Sequence, residues 1–193
     1  MFSGIIRATA KIKQSQYQRG SLLLTTVTPR GWKVKAGDSI ATDGVCLTVA
    51  KASRGSYQCE LMPETLSKTT FGIALPTEVN LERPLTLQAA IDGHLVTGHI
   101  DTIGKIIAVR TAGDSRVYTI GHAEEFGKLA APKGSVTVDG VSLTVVEVQK
   151  DSFTVSLVTY TIEHTTLGNK AAGDLVNLEF DILAKYIAAR LRG

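Results

Sequence analysis

The chain has 193 residues and a formal net charge of +3. So slight an imbalance, with no Lys/Arg run, argues against a nucleic-acid binder, and ordinary apolar content argues against disorder. No apolar stretch reaches bilayer-spanning length, so no membrane association is expected. Cys46 and Cys59 form no Cys-x-x-Cys pair, and Met1-Phe2-Ser3-Gly4 lacks the basic n-region of a signal peptide. Reduced thiols and a cytoplasmic location are therefore expected.

Taken in order, the chain reads as β through most of its length. Short Val/Ile/Leu/Thr-rich runs are cut by Gly and Asp turns, the pattern of sandwiches and barrels. The first half offers strands at 21–27, 39–42, 46–50 and 57–61. A short helix is predicted over 63–68, with Pro63 in its first turn and Gly72 stopping the segment. The second half offers strands at 105–109, 117–120, 135–138, 143–148 and 153–157. Alternation in 136–138 and 153–157 predicts one wet face on those strands. Short helices are read at 122–129 and 161–166. The tail, 182–191, is an amphipathic helix with Ile182, Leu183, Tyr186, Ile187 and Leu191 on one stripe. Asp181 suits its N-cap, and Arg190 and Arg192 suit its negative end. The stripe has two readings: packing on its own barrel, or subunit assembly.

The chain repeats itself. Asp43-Gly44-Val45-Cys46-Leu47-Thr48-Val49 returns as Asp139-Gly140-Val141-Ser142-Leu143-Thr144-Val145, with a thiol exchanged for a hydroxyl. Glu64-Thr65-Leu66-Ser67-Lys68-Thr69-Thr70-Phe71-Gly72 echoes as Tyr160-Thr161-Ile162-Glu163-His164-Thr165-Thr166-Leu167-Gly168. Val79-Asn80-Leu81-Glu82 echoes as Val176-Asn177-Leu178-Glu179, and Gly4-Ile5-Ile6 aligns loosely with Gly98-His99-Ile100. The period is too long for a solenoid repeat and fits domain duplication. The expected division is a first barrel over 1–90, a second over 91–181 and an assembly helix over 182–193.

Residues able to carry chemistry cluster near these repeats. Cys46 reads either as a small buried strand residue or as a reactive thiol. Cys59 reads as core. His94 and His99 each follow a glycine, Gly93 and Gly98, beside Asp92 and Asp101. Their spacing misses the i, i+4 geometry of helical zinc ligands, and no third ligand is evident, so no metal is expected. A general base, a substrate contact or a turn histidine are the readings that stand. Lys133, between Pro132 and Gly134, can hold an anionic or carbonyl-rich ligand or be a plain turn lysine. Asp43 and Asp139 precede glycine, as turn residues do. Two equivalent pockets differing in a few reactive groups suit a protein that binds two similar molecules unequally.

These motifs resemble the riboflavin synthase family from end to end. The resemblance rests on Met1-Phe2-Ser3-Gly4-Ile5-Ile6, both Asp-Gly-Val repeats, Gly93-His94-Leu95-Val96-Thr97-Gly98-His99, Lys133-Gly134-Ser135-Val136-Thr137-Val138 and Asp181-Ile182-Leu183-Ala184-Lys185-Tyr186. It implies an all-β fold of two Greek-key barrels with a C-terminal helix joining three subunits, and an active site shared between neighbouring subunits. The implied reaction moves a four-carbon unit between two 6,7-dimethyl-8-ribityllumazine molecules, yielding riboflavin and 5-amino-6-ribitylaminouracil. No metal or external cofactor is implied, and lumazine synthase is a partner of the kind expected. A non-catalytic, lumazine-binding fluorescent relative is the alternative; retention of Cys46, His94, His99, Ser142 and Lys133 favours the enzyme.

By resemblance, Gly4, Ile5 and Ile6 touch the heterocycle, and Phe2 matters for activity. Ser39, Cys46, Leu47 and Thr48 line the first pocket, with Cys46 a nucleophile or water-directing group. Glu60, Leu61, Met62, Pro63, Glu64 and Thr65 form its ribityl strip. Gly98, His99 and Ile100 reach the bound ring, with His94 and His99 as bases. Lys133, Ser142, Leu143 and Thr144 line the second pocket. Ser156, Leu157, Val158, Thr159, Tyr160 and Thr161 form the second ribityl strip. Asp139 and Asp181 are polar positions near the site. Family members carry Ile-Pro-(His or Glu)-Thr where this chain has Val158-Thr159-Tyr160-Thr161, so that strip is expected to differ; Ser3 for the more usual threonine is minor.

Overall fold

A computed structural model describes residues 1–191. The first copy folds into six strands: β1 (Ala8–Gln18), β2 (Ser21–Val27), β3 (Ser39–Thr42), β4 (Val45–Ser53), β5 (Ser56–Leu61) and β6 (Glu78–Glu82). The second gives β7 (Thr102–Ala112), β8 (Ser115–Gly121), β9 (Ser135–Val138), β10 (Val141–Val148), β11 (Ser152–Leu157) and β12 (Leu175–Phe180). Both close as antiparallel barrels, β1-β2-β5-β4-β3-β6 and β7-β8-β11-β10-β9-β12, so the copies share one Greek-key winding. Closure leaves no open sheet edge. Even the irregularities repeat: register shifts fall at Ile12/Gln14 and Val49/Lys51, and again at Ile106/Ala108 and Val145/Glu147. Among the described residues no helix is long and apolar enough to cross a membrane.

Strand alternation sorts each repeat into a core face and an outer face. In β4, Val45, Leu47 and Val49 are buried in the barrel, leaving Cys46 half-buried and Thr48 exposed on the outside. In β10, Val141, Leu143 and Val145 do the same beside Ser142 and Thr144. The cores are filled by Leu22, Ile40, Tyr57 and Phe71 in one barrel and by Ile106, Tyr118, Phe153 and Phe180 in the other.

The helices α1 (Pro63–Lys68) and α2 (Thr159–His164) occupy matching positions. Thus α2 starts two residues before the expected segment, and the absent proline does not prevent it. Segment 124–129, expected as a helix over 122–129, is a 3-10 helix instead. At the end of the described chain lies α3 (Ile182–Arg190). Asp181 caps it, accepting from the Leu183 N–H at 2.9 Å. Most of its apolar stripe faces outward: Leu183, Tyr186, Ile187 and Leu191 are all more than half exposed, while Ile182 at its start is half-buried. Lys185 instead ties the helix to the second barrel through Asp101 at 2.6 Å. Beyond Ile182 the stripe is therefore not packed on its own barrel. Arg192 lies outside the described residues.

The barrels meet at the two Asp-Gly turns. A Cβ on Gly44 would stand 2.7 Å from the Gly140 amide nitrogen, and one on Gly140 2.7 Å from that of Gly44, so only glycine allows this approach. Around it the asparagines cross over. Asn80 donates to the Asp139 carbonyl (3.0 Å) and accepts from the Thr166 N–H (2.8 Å). Asn177 donates to the Asp43 carbonyl (3.0 Å) and accepts from the Thr70 N–H (2.8 Å). Each aspartate accepts at 2.7 Å from the backbone N–H of the asparagine in its own barrel.

This seam has one asymmetry. Lys170 Nζ lies 3.1 Å from Asp139, while the first copy has Ala74 at the position equivalent to Lys170. Burial pushes both carboxyls up, and Asp43, beside the charge of Asp139, is held well above its ordinary 3.8. Its folded state thus retains a proton that the unfolded chain releases. The associated stability is full below about pH 4 and is lost as pH rises through the folded value. Asp43→Asn keeps an acceptor for the Asn80 N–H and removes the titration. The variant is expected to melt higher than the parent at pH 7, with the gain shrinking towards pH 4; differential scanning calorimetry across that range measures it.

Candidate active site

Two clefts lie at the outer faces of the barrels, each where a short helix meets an arm arriving from elsewhere. In the first, β4 presents Cys46, α1 presents Glu64, Thr65 and Lys68, and the arm Gly98-His99-Ile100 lies across them. The space enclosed is about 210 Å³. The Cys46 N–H donates to the Gly98 carbonyl at 2.8 Å. Gly98 sits at φ +81°, and a Cβ there would stand 2.6 Å from the Cys46 Cβ, which explains glycine at this position.

The second cleft repeats the plan with the arms exchanged. Gly4-Ile5-Ile6 comes from the start of the chain and lies against the second barrel: the Ser142 N–H donates to the Gly4 carbonyl at 2.7 Å. Tyr160 and His164 of α2 face Ile6, Arg7 and the start of β1, Ala8 and Thr9, across a space of about 300 Å³ that Ser142 itself does not line. Their rings stack with centroids 4.0 Å apart and 15° between planes. The equivalent pair on α1, Glu64 and Lys68, forms an ion pair at 3.0 Å. The two clefts therefore offer different surfaces at one equivalent place, charged in the first and aromatic in the second.

The reactive groups also differ. Burial pushes the Cys46 thiol up, with Ser39 pulling it back, so at neutral pH it is a thiol and not a standing thiolate. Ser142, its twin, has its hydroxyl 2.7 Å from His94 Nδ1. Burial lowers His94 below its ordinary 6.5 against the opposing pull of Asp181, so its imidazole is neutral at pH 7. His94 Nε2 is buried without a hydrogen-bond partner among the described residues. His99 is exposed in the first cleft, its backbone N–H donating to Thr97 Oγ1 at 3.2 Å.

Other expected site residues are placed as follows. Leu47, Leu61, Leu143 and Leu157 point into the cores, so they support the clefts from behind. Thr48, Glu60, Met62, Pro63, Thr144, Ser156, Val158, Thr159 and Tyr160 are exposed, and Thr65 and Thr161 are half-buried. Phe2 is fully buried; it pairs with Val96 through backbone bonds of 2.7 and 3.1 Å and packs with Ala41 behind Cys46. Ser39 pairs with Thr48 across β3 and β4. Lys133 occupies an exposed turn at φ +67°, where the first copy has Gly37. Asp139 stands in the seam, holding the Asn177 N–H and Lys170, away from Ser142's cleft. Two residues without a sequence-based role, Glu82 and Glu179, are buried and grip the arms. The only signal for them was the repeated Asn-Leu-Glu.

Known proteins with this arrangement can now be set beside it. A model of the lumazine binding domain matches the chain twice, over residues 3–84 and 97–181, one match on each barrel. The riboflavin synthase of Actinobacillus pleuropneumoniae is 41% identical over 190 residues, covering 97% of this chain and 88% of that protein. The riboflavin synthase of Mycobacterium bovis is 39% identical over 201 residues, covering 100% and 98%. A crystal structure of LumP complexed with riboflavin superposes with a TM-score of 0.86, covering 93% of this chain and 99% of that one; at 21% identity it supports the fold alone. Two lumazine binding domains in tandem, and relatives alike along most of their length, mean that the chain belongs to the riboflavin synthase family.

Proposed function

We propose that the chain is a riboflavin synthase, a transferase that moves a four-carbon unit between two molecules of 6,7-dimethyl-8-ribityllumazine. The products are riboflavin and 5-amino-6-ribitylaminouracil, so every atom of the transferred unit comes from a second copy of the substrate. One observation carries this reading: two arms of the same plan lie over unlike groups, Cys46 under one and Ser142, beside His94, under the other. A dismutation needs like molecules held in unlike surroundings.

The chemistry follows from the substrate. Its C7 methyl is acidic because the resulting anion is delocalised over the ring. A base removes that proton, and the anion attacks the electrophilic ring of the other molecule. Holding the rings face to face makes the encounter nearly unimolecular, which contributes up to ~7–11 kcal/mol. Proton transfer by a positioned side chain contributes a further ~10²–10⁴-fold. His99, exposed in the first cleft, and the neutral His94 are the bases of this reading. Cys46, protonated at neutral pH, donates a proton or orients water. Pairing two clefts face to face calls for neighbouring subunits, and the outward stripe of α3 supports a trimer built on that helix.

Mixing the protein with the lumazine and following absorbance is expected to show riboflavin appearing catalytically. Stoichiometric, spectrally unchanged bound lumazine would instead mark a non-catalytic binder, and no affinity would remove the proposal altogether. His99→Ala is expected to lower kcat by about 10²-fold while leaving lumazine bound; an unchanged rate would take the base role from His99. Cys46→Ser is expected to slow turnover by less. For the assembly, Ile187→Glu places a charge on the exposed stripe of α3. Light scattering is expected to show the native mass falling from three chains to one, and a parent that is already monomeric would refute the trimer.

A further inference from the structure

Each arm is gripped by one buried carboxylate with no cation paired to it among the described residues. Glu82, at the end of β6, accepts from the Ser3 N–H and the Ser3 hydroxyl, both at 2.7 Å, and from the Gly4 N–H at 2.9 Å. Glu179, in β12, accepts from the Thr97 N–H at 2.7 Å, the Thr97 hydroxyl at 2.6 Å and the Gly98 N–H at 2.9 Å. The two side chains are 3% and 1% exposed. A carboxylate so far from water is tolerable only if its oxygens are occupied by donors, and here the donors come from the arm. Arm and carboxylate therefore fix each other.

The grip lies at the point where position matters most. The residue whose N–H completes each clamp is Gly4 or Gly98, and its carbonyl accepts in turn from Ser142 or Cys46. Beyond the glycine the arm reaches the cleft with Ile6 in one case and with His99-Ile100 in the other. The clamps also act across the molecule. Glu82 is anchored in the first barrel, where β6 pairs with β1 and β3, yet its arm covers Ser142 of the second. Glu179 is anchored in the second barrel, where β12 pairs with β7 and β9, yet its arm covers Cys46 of the first.

We infer that Glu82 and Glu179 are positioning residues that work crosswise: each barrel's last strand sets the arm that shapes the other barrel's ligand site. The inference rests on the reading of both clefts as sites for the lumazine or its flavin product. Gln in place of Glu preserves size but turns an N–H₂ towards an arm donor, so the arm must shift. That shift displaces His99 in the first cleft or Ile6 in the second, while the strand carrying the clamp stays paired.

The chain has four histidines, His94, His99, His122 and His164, so imidazole NMR gives a resolved reporter for each region. His99 reports the first cleft and His164 the second. His122, stacked on Phe153 in the second barrel, reports the integrity of that barrel. Riboflavin is the probe. Glu179→Gln is expected to raise the riboflavin concentration for half-saturation at His99 about tenfold, the scale of one lost charge-assisted hydrogen bond, and to leave His164 within about twofold. Glu82→Gln is expected to do the reverse. Thr97→Val and Ser3→Ala, which remove the hydroxyl donor to the clamp along with its acceptance from the His99 or Ile5 backbone N–H, are expected to give the same crossed pattern at about threefold and serve if a glutamine variant does not fold. The inference is overturned if each variant weakens the site on its own barrel, weakens both equally, or weakens neither. Unmoved His99 and His164 signals in the unmodified protein with riboflavin would sink the reading of the clefts instead, and an unchanged crossed response without turnover would still uphold the clamps.

Discussion

Asn80 and Asn177 each use both ends of the side-chain amide on the opposite barrel, donating to a turn carbonyl and accepting from the backbone of a 3-10 segment. These amides are completely buried, so each unmade bond would leave a polar group without water or partner, at about 1–3 kcal/mol. The barrels are therefore locked in one relative orientation by groups that cannot be satisfied in any other. The arms depend on that lock. Gly4 reaches Ser142, and Gly98 reaches Cys46, only because the Asp-Gly turns touch and bring each barrel's outer face within reach of the other's leading segment. If the barrels slid past one another, both clefts would lose a wall.

Much of this was legible in the chain because a repeat states its fold twice. The string Asp-Gly-Val-x-Leu-Thr-Val specifies a tight turn followed by alternation, and both copies form the expected hairpin from β3 to β4 and from β9 to β10. Where alternation was masked, the reading failed. β1 is rich in Lys and Gln, and of its eleven residues only Ala10 is buried, so no period-two signal announced it. β6 showed itself as a repeated string and not as a strand, since five consecutive residues that are nearly all buried do not alternate. The tail read correctly as a helix, but its stripe gave no direction; the ion pair from Lys185 to Asp101 fixes which side faces the barrel.

The site was legible as a set of residues and not as an arrangement. Pairing Cys46 with Ser142 followed from the repeat, as did the equivalence of the arms. That each arm crosses to the other barrel depends on contacts such as Gly4 with Ser142, which no local pattern encodes. Asp139 entered the set of site positions by resemblance, while its residue pattern read as a turn; in three dimensions its carboxylate meets Lys170 and the Asn177 N–H. The leucines of the strips were grouped with their neighbours by sequence, although strand geometry turns every second residue inward. Glu82 and Glu179 are the reverse case, acidic residues inside short apolar strands whose partners lie some 80 residues away.

Comparing the copies within one chain shows where divergence was physically possible. At the seam, Asp, Gly and Asn are the same in both halves, because each of these residues touches the other half's equivalent turn and a change on one side needs a matching change on the other. The clamps are the same as well: glutamate in both, gripping a hydroxyl-bearing residue and a glycine. In the clefts no such reciprocity applies. Cys46 faces its arm and not Ser142; the Glu64–Lys68 ion pair has no contact to conserve with the Tyr160–His164 stack; Gly37 and Lys133 occupy separate turns. A duplicated scaffold braced in this way can alter one cleft without disturbing the other. That is the physical condition for a protein that must hold two identical molecules and treat them differently.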